Sequence, residues 1–154
     1  MSMSAEERLS ALGLTLPEPP QPVGSYVRAR RTGNLIFVSG MVPILEGKLK
    51  YKGKVGADLS IEDGYEAARI CALNILSVLK AEIGSLNHIV QMVRVGGFVR
   101  SADGFTDQPK VINGASDLFA EILQERGMHA RAAGGVNELP LGCGVEVEAI
   151  VEVG

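Results

Sequence analysis

Nine consecutive residues near the end of the chain alternate without a break. Val145, Val147, Ala149, Val151 and Val153 take one parity, and Glu146, Glu148, Ile150 and Glu152 take the other. Side chains of a strand point to opposite faces in turn, so a period of two fits a strand and no helix. Such a strand demands a sheet with one face pressed on a core, in a register that a one-residue slip would invert. We place it at residues 144–153, after a strand at 130–137, and the rest of the chain must supply the layer that covers the valines.

Two segments have the right period for that layer. Ser60 caps a predicted helix running to about Ile83, with Asp63 at the capping-box position and Gly84 as its stop; Tyr65, Ala68, Ala72, Ile75, Leu76 and Leu79 step by three and four. Pro109, tolerated in a first turn, opens a second helix to Arg126, with Val111, Ile112, Ala115, Leu118, Phe119 and Ile122 on its apolar face. Strands are expected at Tyr26–Arg31, Leu35–Val38, 47–54 and 88–100, with Ser39-Gly40 breaking the second and Gly96-Gly97 forming a bulge in the last. The order βββ-α-β-α-ββ, with two helices on one face of one mixed or antiparallel sheet, is an α+β sandwich. Apolar residues remain on the other sheet face, so a second copy is expected to cover it.

Ahead of this lie a short helix over residues 4–12 and the run Pro17-Glu18-Pro19-Pro20-Gln21-Pro22, which proline geometry keeps extended. We read residues 1–22 as a helix and stiff spacer and 23–154 as a single domain, which a chain of 154 residues can fold without disulfides or metal. Cys71 and Cys143 form no CxxC and are expected to be buried thiols. The start of the chain has no basic region followed by an apolar run, and no stretch approaches the length of a membrane span, so a cytoplasmic protein is expected. A net charge of −3 weighs against nucleic-acid binding. Lys48, Lys50, Lys52 and Lys54 would share one face of an extended segment; an edge strand guarded by lysines explains them better than a nucleic-acid stripe.

The candidate chemistry sits in His129-Ala130-Arg131-Ala132-Ala133-Gly134-Gly135 and the glutamates that follow. Arg131 is either a surface arginine or, given the room its small neighbours leave, a clamp for a carboxylate. Glu146, Glu148 and Glu152 are either a solvated face or hold one tuned acid beside an arginine. Asn113-Gly114 inside a helix marks a close helix–sheet contact, or an amide facing a pocket. His88 and His129 stand alone, with no partner at metal-ligand spacing, and there is no phosphate-binding or dinucleotide motif.

Taken in order, Gly24-Ser25-Tyr26-Val27, Phe37-Val38-Ser39-Gly40-Met41-Val42-Pro43, Val111-Ile112-Asn113, Ala130-Arg131, Leu139-Pro140 and Val145-Glu146-Val147-Glu148-Ala149 resemble the Rid family, the reactive intermediate deaminases also called YjgF-like or liver perchloric-acid-soluble-protein-like. The resemblance implies a chorismate-mutase-like fold, assembled as a homotrimer with sites in clefts between subunits. It implies that Arg131 holds a substrate carboxylate, that Glu146 positions water, and that Tyr26, Ser39, Gly40 and Asn113 line the pocket. The implied reaction hydrolyses 2-imino or enamino acids to 2-keto acids and ammonia, with neither cofactor nor metal. The alternative is a non-catalytic trimer that binds a small carboxylate in the same cleft; the endoribonuclease activity attached to family names fits the acidic charge less well. Where the deaminase branch usually follows its arginine with Ser-Cys-Val, this chain has Ala132-Ala133-Gly134.

Overall fold

The computed structural model describes residues 2–154. The alternating segment is β7 (Val145–Val153), with its odd residues buried throughout. It lies at the centre of a five-stranded sheet, between β2 (Leu35–Met41) and β5 (Ile89–Arg100), and pairs antiparallel with both. Outside β2 lies β1 (Ala29–Thr32), and outside β5, parallel to it, lies β6 (Ala130–Val136). The edge strands are therefore β1 and β6.

Two helices cover the valine face, α2 (Ile61–Ile83) and α3 (Gln108–Leu123), packed against each other as well as on the sheet. The predicted capping box forms: Ser60 Oγ accepts from the Asp63 amide and Asp63 Oδ2 accepts from the Ser60 amide, both at 3.0 Å. Gly84 ends α2 at a φ of 85°. The end of α3 tightens into a 3-10 turn at Gln124–Gly127, short of the continuous helix expected to Arg126. The first helix, α1 (Ala5–Ala11), has its own capping box between Ser4 and Glu7 and buries Ala5 and Leu9 on the helical layer. Arg8 Nε donates to the Ile122 carbonyl, and Ser77 Oγ on α2 donates to the Pro17 carbonyl, so both helix and proline segment are tied to the body.

Several expectations need correction. Ser39 and Gly40 do not break β2; the strand continues to Met41, and its register against β7 slips by one residue between Val38 and Met41. That slip is a β-bulge, which absorbs an extra residue while the ladder goes on. Gly96 and Gly97 carry no bulge, since β5 pairs in regular register there. Gly97 instead admits Ile112, whose side-chain atoms lie 2.6 Å from where a Cβ would stand. Gly114 marks a helix–helix contact, not a helix–sheet one: its missing Cβ would fall 1.9 Å from the Tyr65 carbonyl oxygen of α2. Residues 47–54 add no strand to the main sheet. A separate hairpin joins β3 (Ile44–Leu45) to β4 (Lys48–Leu49) through Glu46 and Gly47, both at positive φ. Tyr51 (φ 59°) and Gly53 (φ 129°) then bend the chain, so the four lysines have no continuous strand face to share. No helix is long and apolar enough to cross a membrane among the described residues.

Candidate functional site

The even-numbered face of β7 separates into three environments. Glu152 accepts from Gln91 Nε2 at 2.8 Å, and Glu148 faces Arg94 across 3.5 Å. Glu146 makes no such bond among the described residues and lines a recess of about 240 Å³. Its carboxylate lies over Gly40, where a Cβ would come within 2.6 Å of Oε2, so the glycine in the bulge makes room for the acid. Burial pushes the Glu146 carboxyl above its usual range, and the charge on Glu148 adds to the shift.

The recess walls are mostly apolar. Met41 and Val42 follow the bulge, Leu141 closes one side, and Pro22 of the proline segment with Val23 just after it closes another. Tyr26 also lines it, in an irregular segment before β1 rather than in the strand predicted from Tyr26. Its hydroxyl accepts from the Val23 amide at 3.4 Å. Ser39 does not open into the recess: its hydroxyl donates to the Val27 carbonyl at 2.8 Å and ties the Tyr26 segment to β2. Tyr26, Gly40 and Glu146 therefore meet, with Ser39 bracing them from behind.

Arg131 and Asn113 meet elsewhere. Arg131 pairs with Val95 in the sheet, so its side chain rises on the helical face, at the open edge strand β6. There Nη1 donates to Asn113 Oδ1 at 2.8 Å and Ser116 Oγ at 3.1 Å, and Nη2 donates to the Pro109 carbonyl at 3.3 Å. All three acceptors are neutral, and among the described residues Arg131 makes no ion pair with a carboxylate. A guanidinium has five N–H donors, so Nε–H and one Nη2–H remain for a ligand. That is the fork a carboxylate fits.

Within one chain the two clusters are far apart. Glu146 pairs with Phe98 and Arg131 with Val95, on strands separated by β5 and on opposite faces. Two strand spacings and three residues of offset put their Cα atoms roughly 14 Å apart. No small acid touches both.

Sequence reasoning missed Ser116, which braces Arg131, and the part of His129 beside it. Ser116 lies three residues after Asn113, on the same helix face, and that spacing was its signal. The apolar wall from Pro22, Val23 and Leu141 had no local signal, since two distant segments build it. Both cysteines are buried, and Cys71 and Cys143 donate to the same Val145 carbonyl. Among the described residues no group of three or more His, Cys, Asp or Glu converges as metal ligands would.

Residues 6–152 match a family model described as "YjgF/chorismate mutase-like, putative endoribonuclease". The Trypanosoma cruzi protein TCP17 is 40% identical over 99% of this chain and 99% of its own length. A Dermatophagoides farinae protein named 2-iminobutanoate/2-iminopropanoate deaminase is 28% identical over 91% of this chain and 94% of its own. Among solved structures, Atu1372 of Agrobacterium tumefaciens superposes with a TM-score of 0.91 at 44% identity, covering 97% of this chain and 92% of that one. A structure from Shewanella oneidensis MR-1, described as "a putative endoribonuclease", reaches 0.95 at 36% identity, covering 98% and 100%.

Proposed function

The chain belongs to the YjgF/chorismate mutase-like family, and on that premise we propose that it hydrolyses 2-imino acids to 2-keto acids and ammonia, in a site completed by a second copy of itself. The observation that carries this reading is Arg131, a guanidinium fixed by three neutral oxygens with two donors still unspent. Such a group is built to receive an anion from outside its own chain segment. The relative named as an imine deaminase supports the choice of reaction.

An imine carbon is already electrophilic, so catalysis needs a held substrate, a placed water and a proton carrier. Arg131 holds the substrate carboxylate through two parallel hydrogen bonds. Glu146, with its raised pKa, takes a proton from water as the oxygen attacks the carbon of the protonated imine, returns it to the nitrogen of the carbinolamine, and then takes the hydroxyl proton as the C–N bond breaks, passing it to the departing ammonia. Ammonia and the keto acid leave, and the carboxylate is regenerated. The walls from Val23, Met41 and Leu141 suit an apolar substrate side chain. Because Arg131 and Glu146 lie on opposite faces of one chain, the edge strand β6 of one copy must approach the recess of another; a homotrimer of such contacts closes with no copy left unpaired.

The test is an amino-acid oxidase assay in which semicarbazide traps the remaining imine. The chain is expected to speed the loss of trappable 2-iminobutanoate, and Arg131→Ala to lower kcat/KM by about 10- to 100-fold, the worth of hydrogen bonds to a charged group. An unchanged rate in that variant overturns the assignment. Arg131-dependent binding of 2-oxobutanoate without turnover would leave the carboxylate-binding alternative in its place.

A further inference from the structure

Ser116 sits between two side chains that restrict what its hydroxyl can do. Its Oγ is 3.1 Å from Arg131 Nη1 and 2.9 Å from His129 Nε2, while His129 Nδ1 is 2.6 Å from the Gly127 carbonyl oxygen. A carbonyl oxygen only accepts, so Nδ1 carries the imidazole proton and Nε2 of the neutral ring presents a lone pair. A guanidinium only donates, so Ser116 Oγ accepts from Arg131 and must give its own proton to Nε2. Every polarity in the chain Arg131, Ser116, His129, Gly127 is thereby determined.

The surroundings hold His129 in that state. Its ring meets Phe119 edge-on at a centroid distance of 6.0 Å. Burial lowers its pKa and the Arg131 charge lowers it further, against the opposing pull of the Gly127 carbonyl. The ring thus stays an acceptor beside a permanent cation.

We propose that Ser116 and His129 are positioning residues for the carboxylate clamp: neutral His129 turns the Ser116 lone pair toward Arg131 Nη1 and so presents the opposite edge of the guanidinium to the ligand. Neither residue touches substrate; both act through Arg131. The proposal rests on reading Arg131 as that clamp, although the hydrogen-bond relay stands independently of any turnover. Asn113 and Pro109 fix the guanidinium from α3, but only the serine couples it to a group whose protonation state can change.

Two measurements on the full-length protein test this. In 15N NMR, His129 is expected as the Nδ1–H neutral tautomer, held by the Gly127 carbonyl, and to keep it in Ser116→Ala while its Nε2 resonance shifts as the bond from Ser116 is lost; an Nε2–H tautomer in the unaltered protein overturns the relay. In calorimetric titration with 2-oxobutanoate, Ser116→Ala and His129→Leu are each expected to weaken binding about tenfold, as loss of one hydrogen bond to a charged group would, and Ser116→Thr to restore most of it. With an imino-acid substrate the same variants raise KM and leave kcat nearly unchanged. In an Arg131→Ala background, Ser116→Ala is expected to add nothing. Wild-type affinity in Ser116→Ala, or an additive loss in the double variant, refutes the positioning role. Absence of turnover in the unaltered protein would count against the deaminase reading alone, since the titration and the tautomer still report on the clamp.

Discussion

Glu146 forms no ion pair among the described residues, in a recess whose walls are mostly apolar but include Arg28. Its folded pKa lies above the ordinary 4.5, from burial first and Glu148 second. The folded state therefore binds this proton more readily than the unfolded one, and stability falls as pH rises from 4.5 through the raised value. Above that range the ionised acid is a cost to the fold. Glu146→Gln is accordingly expected to raise the thermal unfolding midpoint at pH 7 while abolishing imine hydrolysis, with the difference in midpoint closing as pH drops below about 4.5; calorimetric scans across that range check it. The identity of this residue was only half legible. Alternation put Glu146, Glu148 and Glu152 on one face, and nothing local distinguished them. Arg94 and Gln91 settle two of the three, and those partners come from a strand more than fifty positions away.

At the scale of elements, the contact between α2 and α3 depends on one missing methyl group. Alanine at position 114 would gain up to about 1 kcal/mol in helix propensity. Against that, its Cβ would collide with the Tyr65 carbonyl, a backbone atom that yields only if the helices separate. Overpacking of that kind costs about 1–3 kcal/mol. Gly114→Ala is therefore expected to lower the urea midpoint and to disturb the Asn113–Arg131 bond beside it, despite the better helix former. The periodicity of α2, α3 and β7 was legible because each pattern is local. Strand order was not: β7 inserts between β2 and β5, and such pairing joins segments that local sequence never compares. The bulge at Ser39-Gly40 was misplaced for the same reason, since it exists only as a register against β7. Part of the relay was present but unread. Asn113 and Ser116 stand at i, i+3 on a helix, and His129 and Arg131 at i, i+2 in extended chain, the two spacings that place side chains on a common face.

For the whole molecule, the separation of Arg131 from Glu146 makes a quantitative prediction. If each site takes its arginine from one copy and its glutamate from the next, Arg131→Ala and Glu146→Gln are each strongly impaired alone. Refolded together in equal amounts as rings, the two impaired variants should recover about a quarter of the unaltered activity, because each site has even odds of drawing an intact arginine and even odds of an intact glutamate. A site contained in one chain recovers nothing, and light scattering on the same samples reports the size of the ring. Exposed Phe37 and Val27 lie where the glutamate face of the sheet meets β1, and covering them would favour the association of copies proposed above. The proline segment has another consequence. It contributes Pro20 and Pro22 to the recess, yet takes no part in the sheet and is held to α2 by the Ser77–Pro17 bond. A wall made from a tether can be lengthened, shortened or rewritten without repacking the core. Descendants of such a chain can reshape this recess by editing a few linker residues while Arg131 and Glu146 stay as they are.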